Sequence, residues 1–503
     1  WNIEFAEIFY EKGGFDIVIG NPPYVRQTQI DDPLGKTQGG TAYKNLLKEM
    51  VCLDFPEYFG TGRLISGRSD LYTYFFIRSL RILNSSGVHV FICSNSWLDV
   101  NFGAWLQEFL LRNVPLYFIF DNQAKRSFAN ADINTVITVM GAPTKINIEN
   151  DRMVKFVTVR KPFQEAVFSE NLLAIEECYQ RRSNEMLRVV PKTVAELLDE
   201  GKAPTEGMDR GFSSIYVGNK WGGKYLRAPD IFFKILERGE GKLEKLIKFA
   251  EVNEGRPTGA NDFFFIPFNV VDEFQIENRY LLPGLMKTRG KAYLRLTKDK
   301  VDRCFLALER NKRWEKANVS EYIKYGEKEI LPKSRTLKAK KDWWCFPDRK
   351  PADLLAPCGY GETVWCGINS ARAITSNSYT EIRLHSYDNL ASVFFTLNHP
   401  IGWLFLELVG RSSLGGGMLK VDPIEYRQVL ITHVDQKLFV PFDRQVQSIF
   451  AECGINPESG TPIEEQEPHP LPDRAALDKV VFDALELTEE ERKDVYRAVC
   501  RLV

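Results

Sequence analysis

The feature that most constrains the fold is the hexapeptide FDIVIG at residues 15–20, which Asn-Pro-Pro-Tyr follows directly at residues 21–24. A short apolar run that is rich in β-branched residues and bounded by Gly and Pro predicts a buried β-strand. Proline lacks an N–H, so two consecutive prolines end a strand and do not extend it within a sheet. The sequence therefore predicts a buried strand whose carboxyl end carries a rigid turn with one amide and one aromatic ring.

Strand and helix patterns alternate along the first 145 residues. A polar, glycine-dotted region over residues 27–68 predicts a long loop or insertion. An amphipathic helix is predicted to begin at Leu71 after a cap at Ser69 or Asp70. Gly87 is expected to end this helix. The further predicted elements are strands at 88–94, 116–120 and 133–140 and a helix at 102–113.

This alternation favours one class of fold. Strands separated by helices pair in parallel through right-handed crossovers, which predicts an α/β sheet. In such sheets, ligands bind beyond the carboxyl ends of the strands. Because residues 21–24 follow a strand directly, the sequence predicts that they lie at this ligand-binding edge.

Composition excludes several other classes of protein. A chain of 503 residues is too long for a single core, so more than one domain is expected. The net charge of −1 means that a nucleic-acid partner would have to be met by local basic patches. The nine cysteines form no C-x-x-C motif, and Cys345, Cys358 and Cys366 have no nearby histidine at zinc-ligand spacing, so we expect reduced thiols and no metal site. With no signal peptide and no apolar run long enough to cross a bilayer, the sequence predicts a cytoplasmic protein.

The residue types in the turn suggest a particular chemistry. The side-chain carbonyl of Asn21 and the backbone carbonyl of Pro22 are two nearby acceptors, and Pro23 has no N–H to compete with them. Two convergent acceptors suit an exocyclic –NH2 group and would draw its lone pair out of ring conjugation towards an electrophile. The ring of Tyr24 could stack on the heterocycle, as enzymes that extrude a base from duplex DNA require. The alternative is an ordinary surface turn, since turns favour Asn and Pro.

The segment FDIVIGNPPYVRQ at residues 15–27 closely resembles the motif of the adenine-N6 DNA methyltransferases that use S-adenosylmethionine. The order of this motif and the later segments resembles the gamma class of that family. Residues 69–98 resemble the family's next helix–strand block, and residues 126–140 resemble its last sheet hairpin. In that hairpin an aromatic residue faces the extruded adenine. The resemblance implies this role for Phe128, although Phe128 taken by itself is also compatible with a core position.

The resemblance continues beyond the catalytic motif. Residues 225–266 and 399–431 resemble the beginning and end of the target-recognition domain of enzymes that fuse restriction and modification (type IIG-like), and residues 476–503 resemble their helical tail. It implies a Rossmann-like methyltransferase sheet, then a mixed α+β target-recognition domain and a helical tail. The predicted boundaries are 1–165 for the catalytic domain, 166–223 for a connecting helix and linker, 224–435 for the recognition domain, and 436–503 for a helical segment with an acidic, proline-rich linker.

The function that this resemblance implies is the methylation of the exocyclic amine of adenine in a specific double-stranded DNA sequence, by base flipping. S-adenosylmethionine would be the methyl donor, and the protein would serve a restriction-modification or phage-defence system in a prokaryotic cytoplasm. Three alternatives stay open: a DNA-specificity module with an inactive methylase half, an RNA methyltransferase, and a methyltransferase acting on a protein glutamine.

The chain departs from the gamma class in one respect. In that class a glycine-rich loop that holds the cofactor precedes the Asn-Pro-Pro-Tyr motif, but only 20 residues precede Asn21 here. The segments FGTG at 59–62, GEG at 239–241 and GYG at 359–361 fit plain turns better. Because the sequence also starts at Trp1, we expect a fragment that lacks the first strands, most of the cofactor pocket and any nuclease.

Several consequences of this expectation are testable. Asn21 and Pro22 would be the remaining contacts to the cofactor in this chain. The chain alone is then expected neither to bind S-adenosylmethionine tightly nor to methylate DNA. Its sheet should show an exposed edge or apolar face, which the missing amino-terminal segment or a partner subunit would cover.

The second half of the chain contains basic and small polar residues that suit DNA phosphates. Glycines beside Arg256 and Arg411 would allow close approach of the backbone, which favours DNA contact for these two residues. For any single lysine, a solvated charge is the simpler interpretation. The full predicted set is Arg256, Thr258, Asn261, Lys333, Arg335, Lys338, Lys340, Lys341, Arg411, Ser412, Ser413 and Lys420.

Overall fold

The structure is a computed structural model that describes residues 3–37, 39–60, 65–124, 134–144, 151–202, 216–310, 313–346, 350–411, 418–440 and 443–503. The chain divides into two compact units, Trp1–Ala228 and Pro229–Val503, called unit 1 and unit 2 below. The domain boundaries predicted from the sequence are finer than this division and stay a prediction.

Unit 1 is built from alternating helices and strands around one sheet. Its elements are α1 (Ala6–Glu11), β1 (Phe15–Gly20), α2 (Gly40–Asp54), α3 (Pro56–Phe59), α4 (Leu71–Leu80), β2 (Leu83–Ser94), α5 (Ala104–Asn113), β3 (Leu116–Asn122), β4 (Thr135–Gly141), β5 (Met153–Val159), α6 (Phe163–Ala166), α7 (Ser169–Glu176), β6 (Arg182–Ser183), β7 (Leu187–Thr193) and α8 (Val194–Glu200). A 3-10 turn (Asn95–Leu98) follows β2, and a π-helical turn (Gly222–Arg227) lies near the end of the unit.

Among the described residues of unit 1, seven strands form one sheet in the order β1-β2-β4-β3-β5-β7-β6. The predicted parallel pairing occurs between β1 and β2 and between β3 and β5. β4 lies between β2 and β3 and is antiparallel to both, because it follows β3 directly as its hairpin partner. The sheet is therefore mixed, but β1, β2, β3 and β5 all end at the same edge, which we call the carboxyl edge.

Three sequence predictions in this unit are wrong. The strand at residues 15–20 is not buried: none of its residues is buried, because it stands at the end of the described sheet. Residues 27–68 are not a long loop, because they contain α2 and α3. α2 is more polar on average than α4, and Val51 is its only buried residue among those described. Gly87 does not end α4, which ends at Leu80; it lies inside β2, where a Cβ atom would come within 2.7 Å of the carbonyl oxygen of Phe15. This glycine is needed for close approach of the two strands.

The core of unit 1 is aromatic. Tyr72 and Phe76 of α4 and Phe109 of α5 are buried, and the rings of Trp97 and Trp221 meet edge to face with centroids 5.8 Å apart. The side chains at the β1 end of the sheet are more exposed. There Ile17 is 66 % exposed and Ile19 is 77 % exposed, so one apolar face of β1 has no cover within the described residues.

Unit 2 combines small sheets with helices. Its elements are α9 (Asp230–Arg238), β8 (Leu243–Lys245), β9 (Ala250–Glu254), α10 (Asn261–Phe264), β10 (Phe265–Pro267), α11 (Phe268–Glu273), β11 (Leu281–Leu285), β12 (Arg303–Leu306), α12 (Val319–Glu329), α13 (Arg335–Lys338), β13 (Leu354–Pro357), β14 (Gly359–Tyr360), β15 (Gly367–Ile368), β16 (Ile374–Thr375), β17 (Tyr379–Leu384), α14 (Leu390–Leu397), α15 (Pro400–Val409), β18 (Leu419–Lys420), α16 (Pro423–Tyr426), β19 (Leu430–Thr432), α17 (Ile449–Cys453), α18 (Pro472–Ala484) and α19 (Glu489–Leu502).

The described strands of unit 2 form two four-stranded sheets, β10-β12-β11-β16 and β15-β13-β17-β9, and two short pairs, β14-β18 and β19-β8. Aromatic residues of α10, α12 and the following loops fill one core, in which the rings of Phe263 and Tyr322 stack at 4.6 Å. The helices α14 and α15 are buried on nearly all sides.

The last helices are joined to the centre of unit 2 by buried charges. Arg474 of α18 is 0 % exposed, and its Nε donates to Glu452 of α17 at 2.8 Å. Its Nη1 also donates to the carbonyl oxygen of Asn398, in the turn between α14 and α15. Tyr496 of α19 donates to Asp478 of α18 at 2.9 Å. The helices α17, α18 and α19 are therefore joined to the rest of unit 2 by buried hydrogen bonds and ion pairs, and the predicted boundary at residue 436 stays a prediction.

Within the described residues, no single helix is long and apolar enough to cross a membrane. One bent helix pair, Tyr387–Leu397 with Pro400–Val409 at 78°, would pass by length and composition alone. All nine cysteines are free thiols.

Candidate functional site

The Asn-Pro-Pro-Tyr turn leaves β1 at the carboxyl edge. Because Gly20 pairs with Phe91, the turn continues beside the last residues of β2. Pro22 is buried, whereas Asn21 and Pro23 are exposed and Tyr24 is partly buried. The predicted position at the end of a strand is confirmed, and the side chain of Asn21 is accessible.

Tyr24 is fixed by the neighbouring strand. Its hydroxyl donates a hydrogen bond to the carbonyl oxygen of Ile92 in β2 at 3.1 Å. Burial, together with the nearby Cys93 thiol, raises the pKa of Tyr24 to about 12. The phenol is therefore neutral at physiological pH, and the polar end of the side chain is held by β2.

The chain beyond the turn is held by α4. The N–H of Leu71 donates to the carbonyl oxygen of Val25 at 3.0 Å, and the N–H of Gln27 donates to the carboxylate of Asp70 at 2.8 Å. Asp70 does precede α4 as predicted, but its carboxylate bonds to Gln27 and not to the first turn of its own helix. Burial raises the pKa of Asp70, although the Gln27 N–H opposes this shift. The turn is thus anchored on both sides, by β2 and by α4.

A chain of hydroxyl groups lies at the end of β2. The hydroxyl of Tyr72 is 3.0 Å from Oγ of Ser96, which is 2.9 Å from Oγ of Ser94. None of these three residues was among the predicted site residues. The signal was the Ser-Asn-Ser sequence directly after an apolar strand, which marks polar residues at the same edge as Asn21.

Phe128 lies outside the described residues, but the positions of its flanking strands are known. β3 ends and β4 begins at the carboxyl edge, and Thr135 of β4 pairs with Ser94 of β2. The N–H of Asn95 also donates to the carbonyl oxygen of Asn134 at 3.0 Å. The segment that contains Phe128 therefore starts and finishes at the same edge as Tyr24. The predicted pairing of the two rings stays a prediction.

A second polar cluster at this edge was not foreseen. The carboxylate of Asp99 accepts from the N–H of Gly223 at 3.0 Å and lies 3.4 Å from the guanidinium of Arg227, both in the π-helical turn. A Cβ atom at Gly222 would come within 2.4 Å of this carboxylate, so a larger residue there would displace the Asp99 side chain. Nearby, burial raises the pKa of Asp121 to about 6. π-helical turns are frequent at functional sites.

The described residues contain no group of three or more His, Cys, Asp or Glu side chains placed to hold a metal ion. For a nucleotide-like cofactor, the usual support is a glycine-rich turn between a strand and a helix. In the described part of unit 1, β1 leads into the proline turn and not into such a turn. The exposed Asn21 and the adjoining Pro22 would fit one wall of a cofactor site but not the part that holds a ribose.

In unit 2, the residues around Gly255–Asn261 that are predicted to contact DNA also form contacts within the unit. Arg256 is 7 % exposed, and its guanidinium lies 5.6 Å from the ring centroid of Phe305. Thr258 is buried, and its hydroxyl donates to the side-chain oxygen of Asn261 at 2.6 Å. Asn261 in turn donates to Asn377 at 3.1 Å. These bonds hold the turn against the β16–β17 connection.

A basic strip lies directly beside this turn. The hydroxyl of Ser334 donates to the carbonyl oxygen of Gly259 at 3.1 Å, so α13 contacts the turn. The strip consists of exposed side chains on and after α13, namely Arg335, Lys338, Lys340 and Lys341. Lys333 is also exposed but lies 3.5 Å from Glu329. The structure thus brings together two groups of residues that are far apart in the sequence.

Arg411 and Lys420 lie elsewhere in unit 2 and are paired with each other through their backbones. The guanidinium of Arg411 forms an ion pair with Asp422 and lies 3.5 Å from Glu425. Lys420 lies 3.2 Å from the same Asp422. These carboxylates largely neutralise both cations. Ser412 and Ser413 lie outside the described residues.

Comparison with known proteins identifies relatives of both units. Residues 1–128 match the family model "Eco57I restriction-modification methylase", and residues 219–452 match "Type II methyltransferase M.Eco57I, C-terminal domain". The chain is related to the type II restriction-modification methyltransferases. Among curated proteins, the Type II methyltransferase M.AccI of Acinetobacter calcoaceticus is 23 % identical over 361 residues, which are 70 % of this chain and 57 % of M.AccI. M.BstVI of Geobacillus stearothermophilus is 32 % identical over 116 residues, 23 % of this chain and 17 % of that protein.

Two solved structures align along most of the chain. The type IIG restriction endonuclease BpuSI is 14 % identical, with a TM-score of 0.40, over 97 % of this chain and 53 % of BpuSI. The Type IIL restriction-modification enzyme MmeI, solved in complex with DNA, is 13 % identical, with a TM-score of 0.42, over 97 % of this chain and 57 % of MmeI. The chain therefore spans little more than half the length of M.AccI and of both solved enzymes.

Proposed function

We propose that this protein transfers a methyl group from S-adenosylmethionine to the exocyclic amine of adenine in a specific sequence of double-stranded DNA. The observation that carries the proposal is the anchored turn Asn21–Tyr24 at the carboxyl edge, held by β2 through Ile92 and by α4 through Asp70. The relation to type II restriction-modification methyltransferases supports DNA as the substrate class.

In this proposal, the side-chain oxygen of Asn21 and the backbone oxygen of Pro22 accept the two hydrogens of the target amine. Both acceptors belong to a turn that two prolines and two anchors make rigid, so they need little reorganisation when the amine arrives. Preorganised dipoles of this kind stabilise the charge that develops on the nitrogen as its lone pair attacks an electrophile. The bound S-adenosylmethionine would supply that electrophile as a methyl group on a sulfonium. Asn21 and Pro22 would adjoin this group.

Tyr24 would serve as the platform for a base that has been turned out of the duplex. Its hydroxyl is already used on Ile92, so the side chain offers the base its ring face and no competing donor. Aromatic stacking offsets part of the energy lost when a base leaves the helix. Phe128 would stack on the opposite side of the base, from the segment that starts and ends at this edge.

Sequence specificity would belong to unit 2. The basic strip Arg335–Lys341 beside the Gly255–Asn261 turn presents cations that suit a DNA backbone, and these would position the duplex while other side chains read bases. Arg256, Thr258, Arg411 and Lys420 would contribute mainly by shaping the surface, because their polar groups are buried or paired with carboxylates. We also propose that the protein belongs to the gamma class and flips its target base. Its complete form would carry a fused type IIG-like endonuclease and act in the cytoplasm.

The decisive experiment measures transfer of tritium from labelled S-adenosylmethionine by the protein expressed from its complete gene. DNA, RNA and protein acceptors are tested in parallel, and the labelled nucleoside is identified after digestion. Labelled N6-methyladenine in DNA supports the proposal. Label in RNA or in a protein, or no transfer with specific DNA binding retained, supports one of the three alternatives instead.

The role of Asn21 is tested in the same assay. Asn21→Ala removes one preorganised acceptor and should lower the transfer rate by about 10²–10³ while leaving DNA affinity within a few-fold. Asn101→Ala, an exposed asparagine after β2, is the matched control and should keep full activity. Near-normal turnover by the Asn21 variant would refute its assignment.

A further inference from the structure

A cavity of about 280 Å³ lies in unit 2, at the side of the sheet β15-β13-β17-β9. Its wall includes two arginines, Arg295 and Arg372, one carboxylate, Asp353, and two aromatic rings, Tyr387 and Phe439. None of these residues belongs to the predicted DNA contacts or to the proposed methyl-transfer site. The volume is near the lower end of the range for small-molecule pockets.

The arginine turn on this wall is rigid. Arg372 has a left-handed backbone with φ of 52°, which is uncommon for a residue other than Gly and is found more often where function requires it. Asn369 is buried and holds the turn with three bonds: its Nδ2 donates to the carbonyl oxygens of Ala352 and Ala373 at 3.0 Å each, and its Oδ1 accepts from Ala373 at 2.9 Å. These bonds therefore fix the backbone from which the exposed Arg372 side chain extends.

The two guanidiniums keep open donors. Arg295 donates through Nε to the hydroxyl of Ser370 at 3.1 Å, which leaves its two terminal nitrogens for a ligand. Within the described part of the chain, neither Arg295 nor Arg372 has a carboxylate within salt-bridge distance. The carboxylate of Asp353 instead accepts from the N–H of Leu384 at 2.8 Å. Two cations thus line the cavity with one anion, of which one oxygen accepts a backbone N–H.

The wall of the cavity also contains apolar and aromatic side chains. Leu390 and Phe439 belong to it, and so does Tyr387, which is 70 % exposed. A ligand that satisfies the whole lining carries a phosphate for the two guanidiniums and a flat apolar part for the rings. An inorganic anion would use only the arginines, and an apolar molecule would leave the arginines unpaired.

We propose that this cavity binds the phosphate group of a nucleotide, with Arg295 and Arg372 as its ligands and Tyr387 and Phe439 against its sugar or base. The nucleotide is either free or part of a DNA strand, since both present the same phosphate and ring. The proposal is independent of methyl transfer and can succeed or fail whatever the tritium assay shows.

The first test uses calorimetry at low ionic strength with 2′-deoxyadenosine 5′-monophosphate and with inorganic phosphate. Three variants are compared with the full chain. Arg372→Asn keeps a residue that tolerates the left-handed turn, Arg295→Met keeps the apolar stem, and Arg279→Ala removes a positive charge away from the cavity. Loss of a charge-assisted contact should weaken nucleotide binding by about tenfold in each cavity variant and not in the control. Inorganic phosphate should bind more weakly than the nucleotide.

The second test measures binding of a DNA duplex at several salt concentrations by the same proteins. If the phosphate belongs to DNA, each cavity variant should lower the salt slope by about one. A change in nucleotide affinity alone identifies a free nucleotide as the ligand, and a change in the salt slope identifies DNA. Thermal unfolding checks that each variant is folded. Folded cavity variants that match Arg279→Ala in both assays would overturn the proposal.

Discussion

Replacement of Arg474 by Met should destabilise unit 2 more than almost any other single change. The guanidinium is completely buried, donates to Glu452 at 2.8 Å and to Asn398, and lies 4.8 Å from the ring centroid of Trp403. Methionine keeps the volume but leaves the carboxylates of Glu452 and Asp478 without this cation. Removing one partner of a buried ion pair costs about 3–5 kcal/mol. For a unit of this size, the corresponding fall in Tm is roughly 10 °C.

The pH dependence of this defect follows from the two carboxyls. The pKa of Glu452 is about 2, because Arg444 and Arg474 outweigh the effect of its burial. This lowered pKa stabilises the folded unit at a pH above the ordinary pKa of a glutamate. The stabilisation is lost as the pH falls to about 2. The pKa of Asp478 is about 7, because burial outweighs Arg474 and Tyr496. In the folded unit, the Asp478 carboxyl keeps a proton that the same carboxyl has already lost in the unfolded chain. The contribution of Asp478 to the free energy of unfolding therefore decreases as the pH rises towards 7.

Without Arg474, the pKa of Asp478 should rise further. At pH 5 the Asp478 carboxyl is protonated in both proteins, and the variant loses mainly the bond to Glu452. At pH 8 the variant must also keep Asp478 protonated or bury an unpaired charge. The fall in Tm should therefore be larger at pH 8 than at pH 5.

Scanning calorimetry of the full chain at the two pH values measures this difference. Arg501→Met is the matched control, because Arg501 pairs with Glu464 at 3.0 Å on the surface, where an ion pair contributes at most about 1 kcal/mol. Equal falls in Tm at pH 5 and pH 8, or a defect no larger than that of the control, would show that the buried network is not what stabilises these helices.

Three further changes are expected to separate chemistry, folding and DNA binding. Tyr24→Ala should lose about 1–3 kcal/mol of stacking with an extruded base, whereas Tyr24→Phe should be tolerated; a fluorescent base analogue at the target position, whose emission rises on extrusion, reports both. Gly87→Ala places a Cβ 2.7 Å from the carbonyl of the facing strand and should lower Tm, unlike Gly361→Ala, which meets no atom within 4 Å. Arg335→Ala should reduce the salt slope of DNA binding by about one, and Arg411→Ala by less, because its partners are already carboxylates; equal slopes for both variants would contradict this ranking.

Local patterns predicted the part of the fold that depends on local chemistry. The strand at residues 15–20 could be predicted, although not its exposure, and the proline turn could be placed at its carboxyl end, because β-branched residues and prolines restrict the backbone locally. The family relation was predictable from the same segment. In contrast, α2 was missed because it is much less apolar on average than α4, and only Val51 is buried in it.

The sequence could not predict contacts between residues that are far apart in the chain. No local signal joins Tyr24 to Ile92, Gln27 to Asp70, or Arg474 to Glu452, because each bond depends on how elements far apart in the chain are packed. The same reason applies to Arg256 and Arg411, whose flanking glycines suggested accessible cations. The structure buries the first against Phe305 and pairs the second with Asp422.

The exposed face of β1 also affects how the chain behaves in solution. Ile17 and Ile19 stand on a strand at the end of the described sheet, where unpaired backbone donors and acceptors can template another strand. Asp16 is the one charged side chain on this strand, which gives it little protection against edge-to-edge association. Concentrated solutions of the chain should therefore self-associate through β1. A lysine in place of Ile19, facing solvent on that strand, should keep the chain monomeric at concentrations where the unmodified chain aggregates.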